Sequence, residues 1–156
     1  TRHEDLSSLR VAVSAGETLP APIYHDWVKQ TGTPILDGIG ATEMLHIFIT
    51  NRLDDHRPNC TGKPVSGYEA RIVDNDMQDV PRGTVGKLAV RGPTGCRYLA
   101  DKRQQKYVKA GWNITGDAFY QDEEGYFHFA ARNDDMIVSA GYNIAGPEVE
   151  AALLAR

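Results

Sequence analysis

The sequence predicts an α/β unit over residues 1–60, a mostly antiparallel β unit over 61–133, and a second, small domain opening at 134. Three observations predict it. A strand, a helix and another strand follow one another within residues 9–39, short alternating segments between turn-rich runs take over from Gly62, and the run Asn133-Asp134-Asp135 interrupts them. With 156 residues and 41% hydrophobic content, the chain can fill one sizeable core.

Residues 9–13, Leu9-Arg10-Val11-Ala12-Val13, are short and β-branched, which predicts a buried strand running into the turn Ser14-Ala15-Gly16-Glu17. Pro20 and Pro22 then introduce Ile23, Tyr24, Trp27 and Val28, spaced as one helical face that Gly32 ends. Residues 34–39 read as the next strand. Strand, helix and strand at this spacing imply parallel pairing, and ligands of such sheets sit at the carboxyl ends of the strands. Both glycine-bearing segments, 14–17 and 38–43, fall there.

Further along, residues 69–73 and 86–91 alternate as strands, separated by Asp74-Asn75-Asp76 and Pro81-Arg82-Gly83. A short helix is predicted over 102–108, and a strand over 126–129 after the turn Asp122-Glu123-Glu124-Gly125. Residues 136–139 read as a strand of the second domain, while Gly146-Pro147-Glu148 has the cap, proline and acidic first turn of a helix start.

Composition excludes several classes. The chain carries 17 Lys and Arg against 21 Asp and Glu, a formal net charge of −4, with no long basic run, so nucleic acid is not the expected partner. Cys60 and Cys96 stand apart without metal-ligand spacing, which argues for a reducing, cytoplasmic setting and against a disulfide scaffold. Asn59-Cys60-Thr61 and Asn113-Ile114-Thr115 fit the glycosylation pattern, but need a secretory route to matter. No apolar run approaches the roughly 18 residues of a membrane span, so no membrane partner is expected. Thr1 is not an initiator Met and residues 151–156 stop inside an apolar helical pattern, so the chain reads as a piece of a longer one.

The chemistry concentrates in two constellations. Thr115-Gly116-Asp117 offers a carboxylate in a Gly-flanked turn that can accept from two neighbouring hydroxyls, and Arg132, fifteen residues later, adds donors the carboxylate lacks. Together they suit a ribose. In Gly38-Ile39-Gly40-Ala41-Thr42-Glu43 the glycines admit a phosphate to backbone N–H groups, Thr42 can donate to its oxygens, and Glu43 can hold magnesium. Taken alone, Asp37 reads as a turn residue, and His46 between Leu45 and Ile47 as a core histidine with a backbone partner.

In that order, Thr115-Gly116-Asp117, Arg132, Asp134-Asp135-Met136-Ile137-Val138-Ser139-Ala140-Gly141 and Pro147-Glu148-Val149-Glu150 resemble the motifs of the adenylate-forming enzymes: acyl-CoA ligases, luciferases and peptide-synthetase adenylation domains. The resemblance implies a fold, the end of a large N-terminal domain (1–133) followed by the start of a small α+β C-terminal domain (134–156). It also implies ATP or AMP, Mg2+ and coenzyme A as small-molecule partners. Gly16 and Glu17 are then an adenine loop, Asp37 meets the adenine amino group, and Gly38 and Ile39 flank the base, Ile39 standing where most members carry an aromatic residue. Thr42 and Glu43 serve the phosphates and the magnesium. Asp134 is the hinge about which the small domain turns, bringing Gly141 and Tyr142 to the pantetheine channel.

The run from Asp37 to Phe48 is similar to that of benzoate-CoA and 2-aminobenzoate-CoA ligases, which implies that Ala15, Gly40, His46 and Ile47 line a small flat pocket for an aryl carboxylic acid. The implied reaction makes an acyl-adenylate from the acid and ATP, then transfers the acyl group to coenzyme A. The family's Gly-rich phosphate loop would precede Thr1 and its catalytic lysine would follow Arg156, so these residues alone are expected to be inactive. Thr61-Gly62-Lys63-Pro64 does not replace the loop, because Arg57 stands where the Walker pattern needs Gly. Alternatives are an adenylation domain that loads a carrier protein, a nucleotide-binding fragment without chemistry, and a β-rich structural domain.

Overall fold

In a computed structural model, residues 5–132, 137–139, 142–144 and 149 are described. Strand β1 (Ala12–Ala15) runs parallel to β2 (Ile35–Gly40), with Ala12 opposite Ile35 and Ala15 opposite Gly38. The crossover is α1 (Ala21–Thr31). Pro22 sits in its first turn, where a missing N–H costs nothing, and the Gly32 N–H closes the helix on the Val28 carbonyl.

β1 starts later than the predicted 9–13 and is not buried on both faces. Its residues alternate between half-buried and exposed in this chain, one face of the strand being the more covered. In this sheet two strands escaped the sequence reading, β3 (Ile47–Thr50), antiparallel to β2, and β4 (Lys63–Pro64), antiparallel to β3. The first sheet is therefore mixed. A single 3-10 turn, Thr42–Met44, reverses the chain between β2 and β3.

The second sheet is antiparallel. It contains β5 (Glu69–Val73) and β6 (Gly86–Arg91) where the alternation predicts them, followed by α2 (Arg103–Tyr107), β7 (Val108–Lys109), β8 (Trp112–Gln121) and β9 (Phe127–Arg132). Strand β8 pairs with β6, with β7 at its start and with β9 along its second half.

Thr115-Gly116-Asp117 is not in a loop turn. It lies inside β8, where the pairing slips: Lys87 faces Ala118 but Ala89 faces Ile114, so β8 bulges over these three residues. Gly116 has φ +86, a conformation that glycine adopts without steric cost, and the bulge re-aims the next side chain, Asp117.

One core joins both sheets. Met44, Phe48 and Ile49 pack with Ile72, Leu88, Val90, Phe119 and Phe127, each side chain contributing about 1.5–3 kcal/mol by leaving water. A bridge between Gly62 and Phe127 links the sheets: the Thr61 N–H donates to the Phe127 carbonyl at 2.9 Å, and the Phe127 N–H to the Gly62 carbonyl at 2.8 Å. The predicted change of texture near residue 61 is thus a change of sheet within one core. β10 (Ile137–Ser139) and β11 (Tyr142–Ile144) pair as an antiparallel hairpin. Asn133, Asp134 and Gly146-Pro147-Glu148 lie outside the described residues.

Candidate functional site

Where the carboxyl ends of β1 and β2 meet β8 and β9, the structure holds a cavity of about 390 Å³. That is inside the range of about 300–1,000 Å³ typical of small-molecule sites. Gly16, Glu17 and Thr18 form one wall, and Asp37, Gly38, Ile39 and Gly40 of β2 form the next. Asp117, Phe119, Phe129 and Arg132 close the far side, with Thr61 from the link between the sheets.

Asp117 and Arg132 stand directly opposite each other in the β8–β9 register. Arg132 Nη1 donates to Asp117 Oδ1 at 3.2 Å, and the Asp117 N–H donates to Thr115 Oγ1 at 3.2 Å. The Asp117 side chain is 11% exposed, whereas that of Arg132 is 52% exposed at the rim. Beneath them, the Phe119 and Phe129 rings meet edge to face, with centroids 5.5 Å apart, and give the cavity an apolar floor.

Asp37 is the unusual member. Its backbone is fixed by the first sheet: the Asn51 N–H and Thr50 Oγ1 both donate to its carbonyl. Its side chain is in a different position, because Oδ1 is buried without a hydrogen-bond partner among the described residues. Burial pushes the carboxyl up to about 6, against the pull of the Gly38 and Leu19 backbone N–H groups. Those two N–H groups act on the carboxyl as a whole, and the acceptor capacity left at Oδ1 is what a ligand's donor would meet.

Of the residues that the sequence singles out, Gly16, Glu17, Asp37, Gly38, Ile39, Gly40, Asp117 and Arg132 share this cavity. Thr42 and Glu43 do not line it; they follow Gly40 on the 3-10 turn, Thr42 exposed and Glu43 half-buried, with Glu43 Oε1 accepting from the Tyr98 hydroxyl. Ala15, His46 and Ile47 lie outside it too. They still adjoin it through the sheet, since Ala15 pairs with Gly38 and Ile47 with Gly40. At Gly40 the strands approach so closely that an added Cβ would stand 2.6 Å from the His46 carbonyl oxygen. His46 is exposed, which overturns its reading as a core histidine; the buried positions of this segment are Met44, Phe48 and Ile49.

Asp134 and Gly141 lie outside the described residues, and Tyr142 is described only as part of β11. Thr18, Thr61, Phe119 and Phe129 were not anticipated. Two-residue alternation from Asp117 would have found Phe119 had residues 115–117 been read as strand, whereas Thr61 reaches the cavity only through the fold. Among the described residues no group of three or more His, Cys, Asp or Glu is arranged to hold a metal ion, and no helix is long and apolar enough to cross a membrane.

An apolar floor, an acceptor awaiting a donor on one wall and a carboxylate–guanidinium pair on the other can hold a flat heteroaromatic ring carrying an amino group and a neighbouring pair of hydroxyls. The profile of the AMP-binding enzyme family matches residues 1–98. The chain is 40% identical over 150 residues to the benzoate–CoA ligase of Thauera aromatica, covering 94% of this chain and 28% of that protein. It is 40% identical over 153 residues to the anthranilate–CoA ligase of Pseudomonas aeruginosa, covering 96% of this chain and 29% of that one. The crystal structure of the anthranilate CoA ligase AuaEII in complex with anthranoyl-AMP superimposes with a TM-score of 0.88 at 43% identity, over 96% of this chain and 29% of that chain. The chain thus spans under a third of the length of these relatives.

Proposed function

Because this chain belongs to the AMP-binding enzyme family, we propose that it carries the adenosine-binding part of an enzyme that activates an aromatic carboxylic acid of the benzoate or 2-aminobenzoate type with ATP and passes the acyl group to coenzyme A. One observation carries this reading. Two motifs about eighty residues apart in sequence, residues 37–40 and the Asp117–Arg132 pair, face one cavity with an apolar floor.

In this reading the Asp117 carboxylate accepts from the two ribose hydroxyls and Arg132 donates to the sugar oxygens. Asp37 Oδ1 accepts from the adenine amino group, and Ile39 contacts the base where relatives of the family carry an aromatic ring. Gly16 and Glu17 border the base with backbone groups. The acid's carboxylate attacks the α-phosphorus of ATP, pyrophosphate leaves, and the mixed anhydride forms. The thiol of coenzyme A then attacks the acyl carbon, and AMP leaves.

The residues present fit magnesium. Glu43 offers a carboxylate oxygen and Thr42 a hydroxyl, which is the hard-oxygen chemistry this cation prefers, and a single carboxylate suffices where nucleotide phosphates and waters complete the shell. When bound, the ion supplies neutralisation of charge that builds on the phosphate oxygens. Thr42 donates to the same oxygens. Gly40, which lines the cavity, and Ala15, His46 and Ile47 beside it form the acid pocket, and His46 contacts the acid's carboxylate or a ring substituent. Residues 1–133 close a large domain, Asp134 is the hinge, and residues from 134 onward begin a small domain whose Gly141 and Tyr142 meet the pantetheine arm.

The test is pyrophosphate release by the full-length enzyme with benzoate, 2-aminobenzoate, hydroxybenzoates and fatty acids of increasing length. Flat aryl acids are expected to give the highest kcat/KM. A preference for long aliphatic acids overturns the acid-pocket assignment.

A further inference from the structure

The 3-10 turn Thr42–Met44 is only three residues long, and Leu45, its C-cap, has φ 70 and ψ −33, a conformation that residues with side chains rarely adopt. Leu45 is 68% exposed, so burial of its own side chain does not hold it there. Met44 is fully buried and anchors the turn from below, but the direction of the Glu43 carboxylate needs a separate constraint.

That constraint comes from the segment after β6, about fifty residues away in sequence. Thr94 Oγ1 donates to the Met44 carbonyl at 2.7 Å, and because a hydroxyl has one proton, Tyr68 must be the donor in its 2.5 Å contact with Thr94 Oγ1. Four residues on, the Tyr98 hydroxyl donates to Glu43 Oε1. The Tyr98 ring is itself fixed, edge to face against buried Tyr107 with centroids 6.1 Å apart, and covered by the Arg103 guanidinium at 4.4 Å. Arg103 is in turn held by Asp101 at 2.7 Å.

We propose that Thr94 and Tyr98 are positioning residues for the turn: Thr94 fixes its backbone, and Tyr98 occupies one carboxylate oxygen of Glu43 so that the other is presented to the cation. The inference rests on the reading of Glu43 as the magnesium-binding carboxylate. A carboxylate has about four acceptor sites over two oxygens, so one donated hydrogen bond restricts its rotation without saturating it. Neither residue belongs to the motif that contains Glu43.

The experiment uses the full-length enzyme with Tyr98→Phe, Thr94→Val and Glu43→Gln. Magnesium binding to the complex with a non-hydrolysable ATP analogue is measured calorimetrically, alongside AMP affinity without metal and the Mg2+ dependence of pyrophosphate release. Tyr98→Phe keeps the ring and removes only the hydroxyl; about a tenfold weaker magnesium affinity is expected, the scale of one hydrogen bond to a charged group, with AMP affinity unchanged. Thr94→Val is expected to act in the same direction. Wild-type magnesium affinity in Tyr98→Phe, while Glu43→Gln loses it, overturns the positioning role alone. Equal loss of AMP affinity and magnesium affinity in Tyr98→Phe also overturns it, because that is the result of a general structural role. Unchanged magnesium affinity in Glu43→Gln instead overturns the underlying reading of Glu43.

Discussion

If Asp37 receives the amino group of the base, the affinity for adenosine must fall as that carboxyl is protonated. The carboxyl titrates at about 6, because burial outweighs the two backbone N–H groups that face it. A protonated carboxyl that keeps its own hydrogen on Oδ1 is no longer an acceptor there. With a pKa of about 6, the ionised fraction is roughly one in eleven at about pH 5 and nearly complete at about pH 8, so the dissociation constant weakens by up to about tenfold, or ~1.4 kcal/mol, across that window. Adenosine is the proper probe, since the phosphate of AMP titrates near the same pH and would mask the effect. Calorimetric titration of adenosine at several pH values, with Asp37→Asn beside the wild type, reads the effect directly. Asp37→Asn should bind with little pH dependence. A flat wild-type profile, or a slope that survives in Asp37→Asn, refutes the reasoning.

The same carboxyl predicts the free protein's stability with a definite sign. Its folded pKa is raised from 3.8, so ionisation opposes folding: the contribution is fully present below the unfolded value and is lost as pH rises through about 6. The rise from 3.8 to about 6 corresponds to ~3 kcal/mol, which partial exposure to solvent reduces to about 1.5 kcal/mol, and urea titration of Asp37→Asn against wild type above pH 7 should recover it. Asp117→Asn retains size but loses charge-assisted acceptance, and should weaken AMP binding by about 10–100-fold; an unchanged dissociation constant removes the ribose assignment. Phe119→Ala, at a side chain 1% exposed, should cost about 3–5 kcal/mol in denaturant unfolding. Gly40→Ala places a Cβ 2.6 Å from the His46 carbonyl oxygen and should cost about 1–3 kcal/mol, read as a lower urea midpoint. His46→Ala should leave stability within about 0.5 kcal/mol and AMP affinity unchanged, while raising KM for the aryl acid; an equal loss of AMP binding would place His46 in the nucleotide site instead.

The sequence by itself determined the elements whose evidence is local. Alternation places β5 and β6, a proline start and a glycine stop bound α1, and strand–helix–strand spacing makes β1 and β2 parallel, which puts residues 14–17 and 38–43 at their carboxyl ends. The Asp117 and Arg132 pairing was legible as well, because the two residue types suit one polar ligand whichever backbone carries them. Only the tertiary structure decided that residues 115–117 form a bulge within β8, that Thr61 joins the cavity, that His46 is not a core position of its segment, and that Tyr98 reaches Glu43. Only it showed Asp37 Oδ1 buried without a partner. The reason is physical: periodicity records which face of one element is apolar, whereas register slips, contacts between distant segments and the desolvation of a single carboxylate arise when separate elements close on one core.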